Sequence, residues 1–347
     1  MRLLVTGATG FIGMHLGLAL VKEGYQVRVF VRKKTTLFPL TLEIEQYVGD
    51  VTNPEDILRA AKDCSGIFHL AAAVSFKKTD ARLLAKVNVQ GTKNVITAAL
   101  KQKVHRLVHV SSASAIGNPT KEKKIMNETD NLIKKGNEGY PESKWISEEL
   151  VRDACRTKKL NAVIVSPSTV YGAGGREQSA ASLVQSLSHK RFILAPPGGC
   201  SIVTVDDVIQ GLLLAYKKGE TGEKYILTGE NISYKKLFTL ICKSVTGRHP
   251  CIMVLPYVLF YPAYAILHTL ELLFESLSFF PSLLTSQVLY FIFHYRYLNN
   301  TKARTELGWQ PKNDFTKAIQ DMHSYSFTIV SRVRSPQATN SRNDMIK

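Results

Sequence analysis

Tyr140 and Lys144 stand four residues apart, one turn of helix, so their side chains share a face. A tyrosine hydroxyl has a pKa of about 10 and is a poor base at neutrality. An ammonium one turn away favours its ionised form. Such a pair can pass a proton to or from a substrate oxygen, provided geometry brings them to it. Pro141 falls where a helix begins, a position that tolerates proline. By itself the Y-x-x-x-K spacing is common and describes many exposed helix faces. Upstream, Ser111 and Ser112 follow the apolar stretch His105–Val110 and could hold the same oxygen.

A second piece of chemistry lies at the N-terminus. Thr6-Gly7-Ala8-Thr9-Gly10-Phe11-Ile12-Gly13 follows an apolar strand and opens a helix. Gly7, Gly10 and Gly13 permit a tight turn and let backbone approach a pyrophosphate. Thr9, Phe11 and Ile12 lie at the helix start, where free N–H groups and the positive dipole end attract anions. Strand before and helix after are the context that gives this glycine pattern meaning, as a dinucleotide-binding turn. Such sites separate NAD from NADP at the end of the second strand, where an arginine accommodates a 2′-phosphate. That strand, Gln26–Val31, runs into Arg32-Lys33-Lys34. The planar fork of Arg32 suits a phosphate, although a solvated basic turn would read the same. NADP is favoured and NAD remains possible.

These residues need a scaffold. Strands are expected at Arg2–Thr6, Gln26–Val31, Ile44–Val48, Ile67–Leu70, His105–Val110 and Asn161–Val165. Helices are expected at Phe11–Glu23, Pro54–Asp63 (capped by Asn53), Asp80–Lys101 and Glu142–Thr157. The alternation predicts an α/β fold: a Rossmann-type, doubly wound parallel sheet with helices on both faces. Residues 1–168 form the NAD(P)-binding domain, with core elements continuing to about 230. Residues 169–329 read as a smaller, mainly helical substrate lobe, and 330–347 as a disordered basic tail.

The chain has 347 residues, 45 Lys and Arg against 28 Asp and Glu, and a formal charge of +17. That favours an anionic partner, whether ligand phosphate, acidic membrane surface or nucleic acid. No helix-turn-helix, zinc or aromatic-platform signature supports nucleic acid, and none is expected to bind. The five cysteines are scattered, with no C-x-x-C, which argues for reduced thiols in a cytoplasmic protein. The nine histidines form no metal-ligand pattern, so no metal site is expected. The sequence shows no signal peptide. Residues 252–270 and 277–295 lack Asp, Glu, Lys and Arg, but Pro256, Pro262, Pro281 and His268 interrupt them. They could form an apolar lid over a greasy pocket, a membrane-surface hairpin, or, least favoured, a span. Arg296, Lys302 and Arg304 would suit an anionic lipid surface.

The motifs together resemble the extended short-chain dehydrogenase/reductase family, also described as NAD-dependent epimerase/dehydratase-like. The resemblance runs through TGATGFIG, Gly49-Asp50-Val51, His69-Leu70-Ala71-Ala72, Asn88-Val89-Gln90-Gly91-Thr92, Ser111-Ser112-Ala113 and Tyr140-Pro141-Glu142-Ser143-Lys144. It continues through Pro167-Ser168-Thr169-Val170-Tyr171-Gly172 and Thr301–Trp309, spanning roughly residues 1–325. The spacing looks most like the branch of dihydroflavonol 4-reductase and 3β-hydroxysteroid dehydrogenase. The resemblance implies that Ser112, five residues before Gly117, is the catalytic serine, with Ser111 the alternative. It implies that Asp50 bonds the adenine amino group, with Val51 nearby, and that Ala71, Ala72 and Ala73 line the nicotinamide side. It places Lys144 on the nicotinamide ribose and Pro167 and Val170 beside the cofactor. Asn88 would support a proton relay or only lock its helix. Val31 stands where many NAD enzymes of the family carry Asp, and Ser166 where most carry Arg.

The expected activity is hydride transfer between NADP and a carbonyl or secondary alcohol of an apolar, sterol-, terpenoid- or flavonoid-like substrate. Ala113-Ser114 replace the Asp-Glu pair of the sugar dehydratases, and Val165–Ser168 replace the R-Y-F-N run of the epimerases. An NAD-dependent nucleotide-sugar epimerase is the alternative within enzymes; a non-catalytic dinucleotide sensor is the alternative outside them. By analogy with the family, a homodimer through residues 80–101 and 142–157 is possible. His69, His109 and His294 are assigned no catalytic role.

Overall fold

The structure is a computed structural model, and it describes residues 1–38, 43–117, 119, 125–130, 139–174, 179–273 and 286–334. The chain opens with β1 (Arg2–Thr6), α1 (Phe11–Lys22), β2 (Gln26–Val31), β3 (Ile44–Val48), α2 (Pro54–Ala60) and β4 (Gly66–His69). Then come α3 (Ala81–Leu84), α4 (Gly91–Lys101), β5 (Arg106–Val110), β6 (Ile125–Met126), α5 (Tyr140–Lys158), β7 (Ala162–Pro167) and β8 (Thr169–Tyr171). The second half contains α6 (Ser179–Leu187), β9 (Phe192–Ala195), β10 (Gly199–Thr204), α7 (Val205–Lys218), β11 (Lys224–Leu227), β12 (Glu230–Ser233) and α8 (Tyr234–Thr246). It ends with β13 (Cys251–Val254), α9 (Phe260–Leu273), α10 (Ser286–Phe293), β14 (Tyr295–Leu298), α11 (Thr301–Leu307) and α12 (Phe315–Arg334).

Seven parallel strands form the central sheet in the order β11-β7-β5-β4-β1-β2-β3. The inner strands are apolar and buried on both faces, as helices covering both sides require, while the edge strand β3 is partly exposed. The chain winds outward from β1 through β3, then returns to lay β4 on the other side of β1. That reversal opens a crevice at the carboxyl ends of β1 and β4, where open α/β sheets take their ligands. Asn53 caps α2 through its side chain, accepting from the Glu55 N–H at 3.1 Å.

Three features depart from the sequence expectation. The long helix over 80–101 is interrupted by a π-helical turn at Ala85–Gln90. The second half is not only helical. Strand β10 pairs with β8, β12 and β14, and β14 with β6, giving a second, five-stranded sheet. Separately, β9 and β13 form a parallel two-stranded ribbon. Helix α12 runs through Arg334, so 330–334 are helical where a disordered tail was expected; residues beyond 334 lie outside the described residues. Trp309 is fully buried, and its indole N–H donates to the Asp207 carbonyl at 2.9 Å, pinning the C-terminal motif to α7.

Candidate active site

The glycine run forms the β1–α1 turn. Gly7 has φ +69°, and a Cβ there would lie 2.6 Å from the Ala71 nitrogen. A Cβ on Gly13 would lie 2.2 Å from the Gly7 carbonyl oxygen. Only glycine lets helix and turn approach this closely. Helix α1 starts at Gly10 without a side-chain cap, so the N–H groups of its first turn, from Phe11 through Gly13, point into the crevice. Thr9 is exposed beside them. This uncapped terminus fits a dinucleotide pyrophosphate.

Around it, the remaining expected cofactor residues fall at the strand ends. Arg32 is exposed just past β2. Asp50 lies close enough that the Arg32 and Lys86 cations help hold its carboxyl below the usual range, behind the larger effect of the Thr52 backbone N–H. That N–H donates to Asp50 Oδ1 at 2.8 Å, and Val51 is buried beneath. Ala71, Ala72 and Ala73 follow β4. Pro167 and Val170 line the cavity at the ends of β7 and β8.

Tyr140 begins α5, and its hydroxyl is hydrogen-bonded to Ser112. Ser112 also accepts from the Ser114 backbone N–H at 3.2 Å and from the Ser114 hydroxyl at 2.9 Å. Ser111 is buried and its hydroxyl has no partner among the described residues, so Ser112 is the serine brought to Tyr140. Burial pushes the Tyr140 pKa above its ordinary value, and the Ser112 bond offsets only part of this. The phenol is therefore neutral near pH 7, the form that can give a proton away. Lys144 follows one turn later on α5. It is buried, its ammonium donates to the Val110 carbonyl at 2.7 Å, and burial pulls its pKa down to about 8, with Glu148 opposing.

Asn88 sits in the π-helical turn. Its side chain accepts from the Ala73 N–H at 2.7 Å and donates to the Ala73 carbonyl and to Ser143 Oγ. Ser143 in turn donates to the Tyr140 carbonyl at 2.8 Å. The Asn88 backbone carbonyl receives the hydroxyls of Thr92 and Ser147. Asn88 thus joins the Ala73 loop to the first turn of α5; its geometry is that of a lock. His69 is likewise spoken for. Thr6 Oγ1 lies 2.8 Å from Nδ1 and accepts from the Ala71 N–H, so it donates its proton to Nδ1. Nε2 then carries the ring proton toward Thr92 Oγ1 at 3.1 Å. Burial and the Lys144 cation pull the His69 pKa to about 3. His109 is buried beside it, with neither ring nitrogen bonded among the described residues.

Sequence reasoning missed two residues. Glu148, one turn beyond Lys144, is fully buried and meets Lys224 Nζ at 2.8 Å, Arg152 at 3.3 Å and Ser166 Oγ at 3.3 Å. Strand β11 runs beside β7, so Lys224 supplies the cation that Ser166 lacks. The second is Arg296, on β14. It faces a cavity of about 800 Å³ that also holds Ser112 and Tyr140. It lies over the Phe291 ring at 4.2 Å, reaches the Ile116 carbonyl only at 3.5 Å, and its Nε is enclosed without a partner. No carboxylate pairs with it among the described residues. The same residues contain no cluster able to hold a metal ion.

Comparison with known proteins agrees with this geometry. The family model "NAD dependent epimerase/dehydratase family" matches residues 3–228. A putative dihydroflavonol 4-reductase of Synechocystis sp. is 32% identical over 250 residues, covering 70% of this chain and 72% of the relative. Sterol demethylase protein B of Methylococcus capsulatus is 32% identical over 253 residues, covering 72% and 76%. A 4-hydroxy-2-methyl-3-oxo-4-farnesyl-3,4-dihydroquinoline-1-oxide ketoreductase of Stigmatella aurantiaca is 31% identical over 323 residues, covering 89% and 92%. Among solved structures, UDP-glucose 4-epimerase of Thermotoga maritima superposes with a TM-score of 0.74 at 22% identity, covering 95% of this chain and 100% of the epimerase. That likeness speaks for the fold alone. The chain belongs to the NAD-dependent epimerase/dehydratase family, and within it is an NAD(P)-dependent oxidoreductase of the extended short-chain dehydrogenase/reductase type.

Proposed function

We propose that this protein is an NADP-dependent reductase of a carbonyl on a largely apolar substrate. One observation carries the reading. The neutral Tyr140 hydroxyl and Ser112 open into a cavity walled by Val74, Phe76, Leu83, Met126, Phe291 and Leu298. Phe76 meets Tyr140 edge-on at 6.0 Å and Phe291 at 6.4 Å, an aromatic wall suited to a fused-ring or isoprenoid body. A nicotinamide dinucleotide bound at the β1–α1 turn supplies or takes up the hydride. Ser112 orients the substrate oxygen, and Tyr140 donates its proton as charge develops there. Lys144, bonded to the Val110 carbonyl, would hold the cofactor ribose. Arg296 offers a cation on the cavity wall to an oxygen elsewhere on the substrate. Arg32, exposed beside Asp50 with Lys86 close by, presents positive charge where a 2′-phosphate would sit.

The test has two parts. Native mass spectrometry of the purified protein reads the bound dinucleotide, and NADPH consumption is followed with apolar ketones and with UDP-glucose. The expected result is exchangeable NADP(H), turnover of an apolar ketone, and a loss of about 100-fold or more in kcat for Tyr140→Phe with NADPH affinity retained. Tightly held stoichiometric NAD with interconversion of nucleotide sugars would replace this reading with that of an epimerase.

A further inference from the structure

Phe192 pairs in register with Cys251 and Leu194 with Met253, and in a parallel pair such neighbours point to the same side. Ile193 and Ala195, on the opposite side, are buried in the lobe core. The ribbon therefore turns one face inward and leaves Phe192, Leu194, Cys251 and Met253 exposed. The chain leaves β13 through Pro256, and the apolar surface continues with Tyr257, Val258, Leu259, Tyr261 and Ile266. Exposure reaches 56% for Phe192, 70% for Val258 and 66% for Tyr261, far beyond scattered surface apolars.

The charged side chains that these segments carry have one sign. Because β9 and β13 are parallel, their N-terminal ends share one edge. Lys190 and Arg191 precede β9, and Arg248 precedes β13, all exposed. The Cys251 N–H donates to the Arg191 carbonyl at 2.9 Å, so the two basic approaches are joined. Residues 189–195 and 247–270 contain no Asp or Glu. The cations thus lie along the edge of an apolar plateau, not across it. A protein partner with an apolar patch would not require such a one-signed rim. A bilayer with anionic headgroups requires both parts, an apolar face to enter the acyl boundary and cations at headgroup depth.

No helix among the described residues is long and apolar enough to cross a membrane. Of the three cations expected to face lipid after residue 295, Arg304 is exposed and two are engaged elsewhere. Arg296 turns into the cavity, and Lys302 pairs with Glu223. We propose that the β9–β13 ribbon and the adjoining face of residues 257–266 form a docking surface for anionic lipid, on which the protein lies without spanning. This stands apart from the reading of the active site.

The test uses the full chain and sedimentation with two kinds of vesicle, phosphatidylcholine alone and an equimolar mixture with phosphatidylglycerol. Wild type is expected to bind the anionic vesicles and to release partly in high salt. Lys190→Gln/Arg191→Gln/Arg248→Gln should lower that affinity by about 100-fold, roughly fivefold for each cation. Phe192→Ser/Leu194→Ser/Val258→Ser/Tyr261→Ser should abolish it. These positions are exposed, so circular dichroism and the thermal midpoint should stay as in wild type, which separates lost docking from lost folding. Wild type failing to sediment with anionic vesicles overturns the proposal. So does equal binding by the serine variant, or a dimer of wild type that this variant breaks while vesicles remain unbound.

Discussion

Replacing Lys224 by Met removes the nearest cation from a carboxylate wholly shielded from solvent. Glu148 is wholly enclosed, its contact with Lys224 is 2.8 Å, and Lys224 is itself 3% exposed. Breaking a buried pair from one side costs about 3–5 kcal/mol, because the surviving charge keeps its desolvation penalty. Here Arg152 stays at 3.3 Å but is partly solvated, and Ser166 gives one hydroxyl, so the lower end, about 3 kcal/mol, is expected. For 347 residues the unfolding entropy at a typical midpoint is about 0.7 kcal/mol per kelvin. Lys224→Met should then lower Tm by about 4 °C, read by calorimetry. Glu148→Leu/Lys224→Met removes both charges and should recover most of the loss. Lys144 adds a second signature, since the Glu148 carboxylate holds its pKa up against burial. In the double variant that support is gone, and the pH dependence governed by Lys144 should move below about 8. A Tm within 1 °C of wild type for Lys224→Met, or an equal loss in the double variant, would refute the reasoning.

Two further outcomes follow from the electrostatics. Arg32→Ser should raise KM for NADPH about 10–100-fold, the worth of one charge-assisted bond, and leave KM for NADH unchanged; initial rates with each dinucleotide check it. His69 is held neutral with a pKa of about 3, against about 6.5 in the unfolded chain, so only the unfolded chain takes up a proton between those values. Stability is full above about pH 6.5 and should fall as pH drops below it, with His109 acting in the same direction. Urea midpoints across that range measure this, and His109→Leu should flatten the slope.

The sequence made some of this legible and hid the rest for physical reasons. The β1–α1 turn and the Tyr140–Lys144 pair are local. Their meaning sits in spacings of three and four residues, and the strand–helix alternation around them predicts the parallel sheet. Asn53 is legible in the same way, because a cap acts on the next turn. The π-helical turn at Ala85–Gln90 leaves no such mark, since it is held by what Asn88 bonds across space. Lys224 lies 58 positions after Ser166, and only strand pairing shows that one supplies the charge the other lacks. The second sheet escaped notice because its strands are short and its centre, β10, draws partners spread over residues 169–298. Arg296 looked like a surface cation after an apolar run; the register of β14 against β10 turns it inward.

Asn88 does the work of a rivet. Through five hydrogen bonds of its own side chain and carbonyl it fastens the Ala73 loop, the turn of helix it belongs to, and, by way of Ser143 and Ser147, the first turns of α5. The three segments therefore share one degree of freedom. A substrate that shifts the Ala73 loop shifts Tyr140 with it. A pocket remodelled over evolutionary time can be recut on the β14 and α10 side, where Arg296 and Phe291 stand, but not on the riveted side without moving the proton donor.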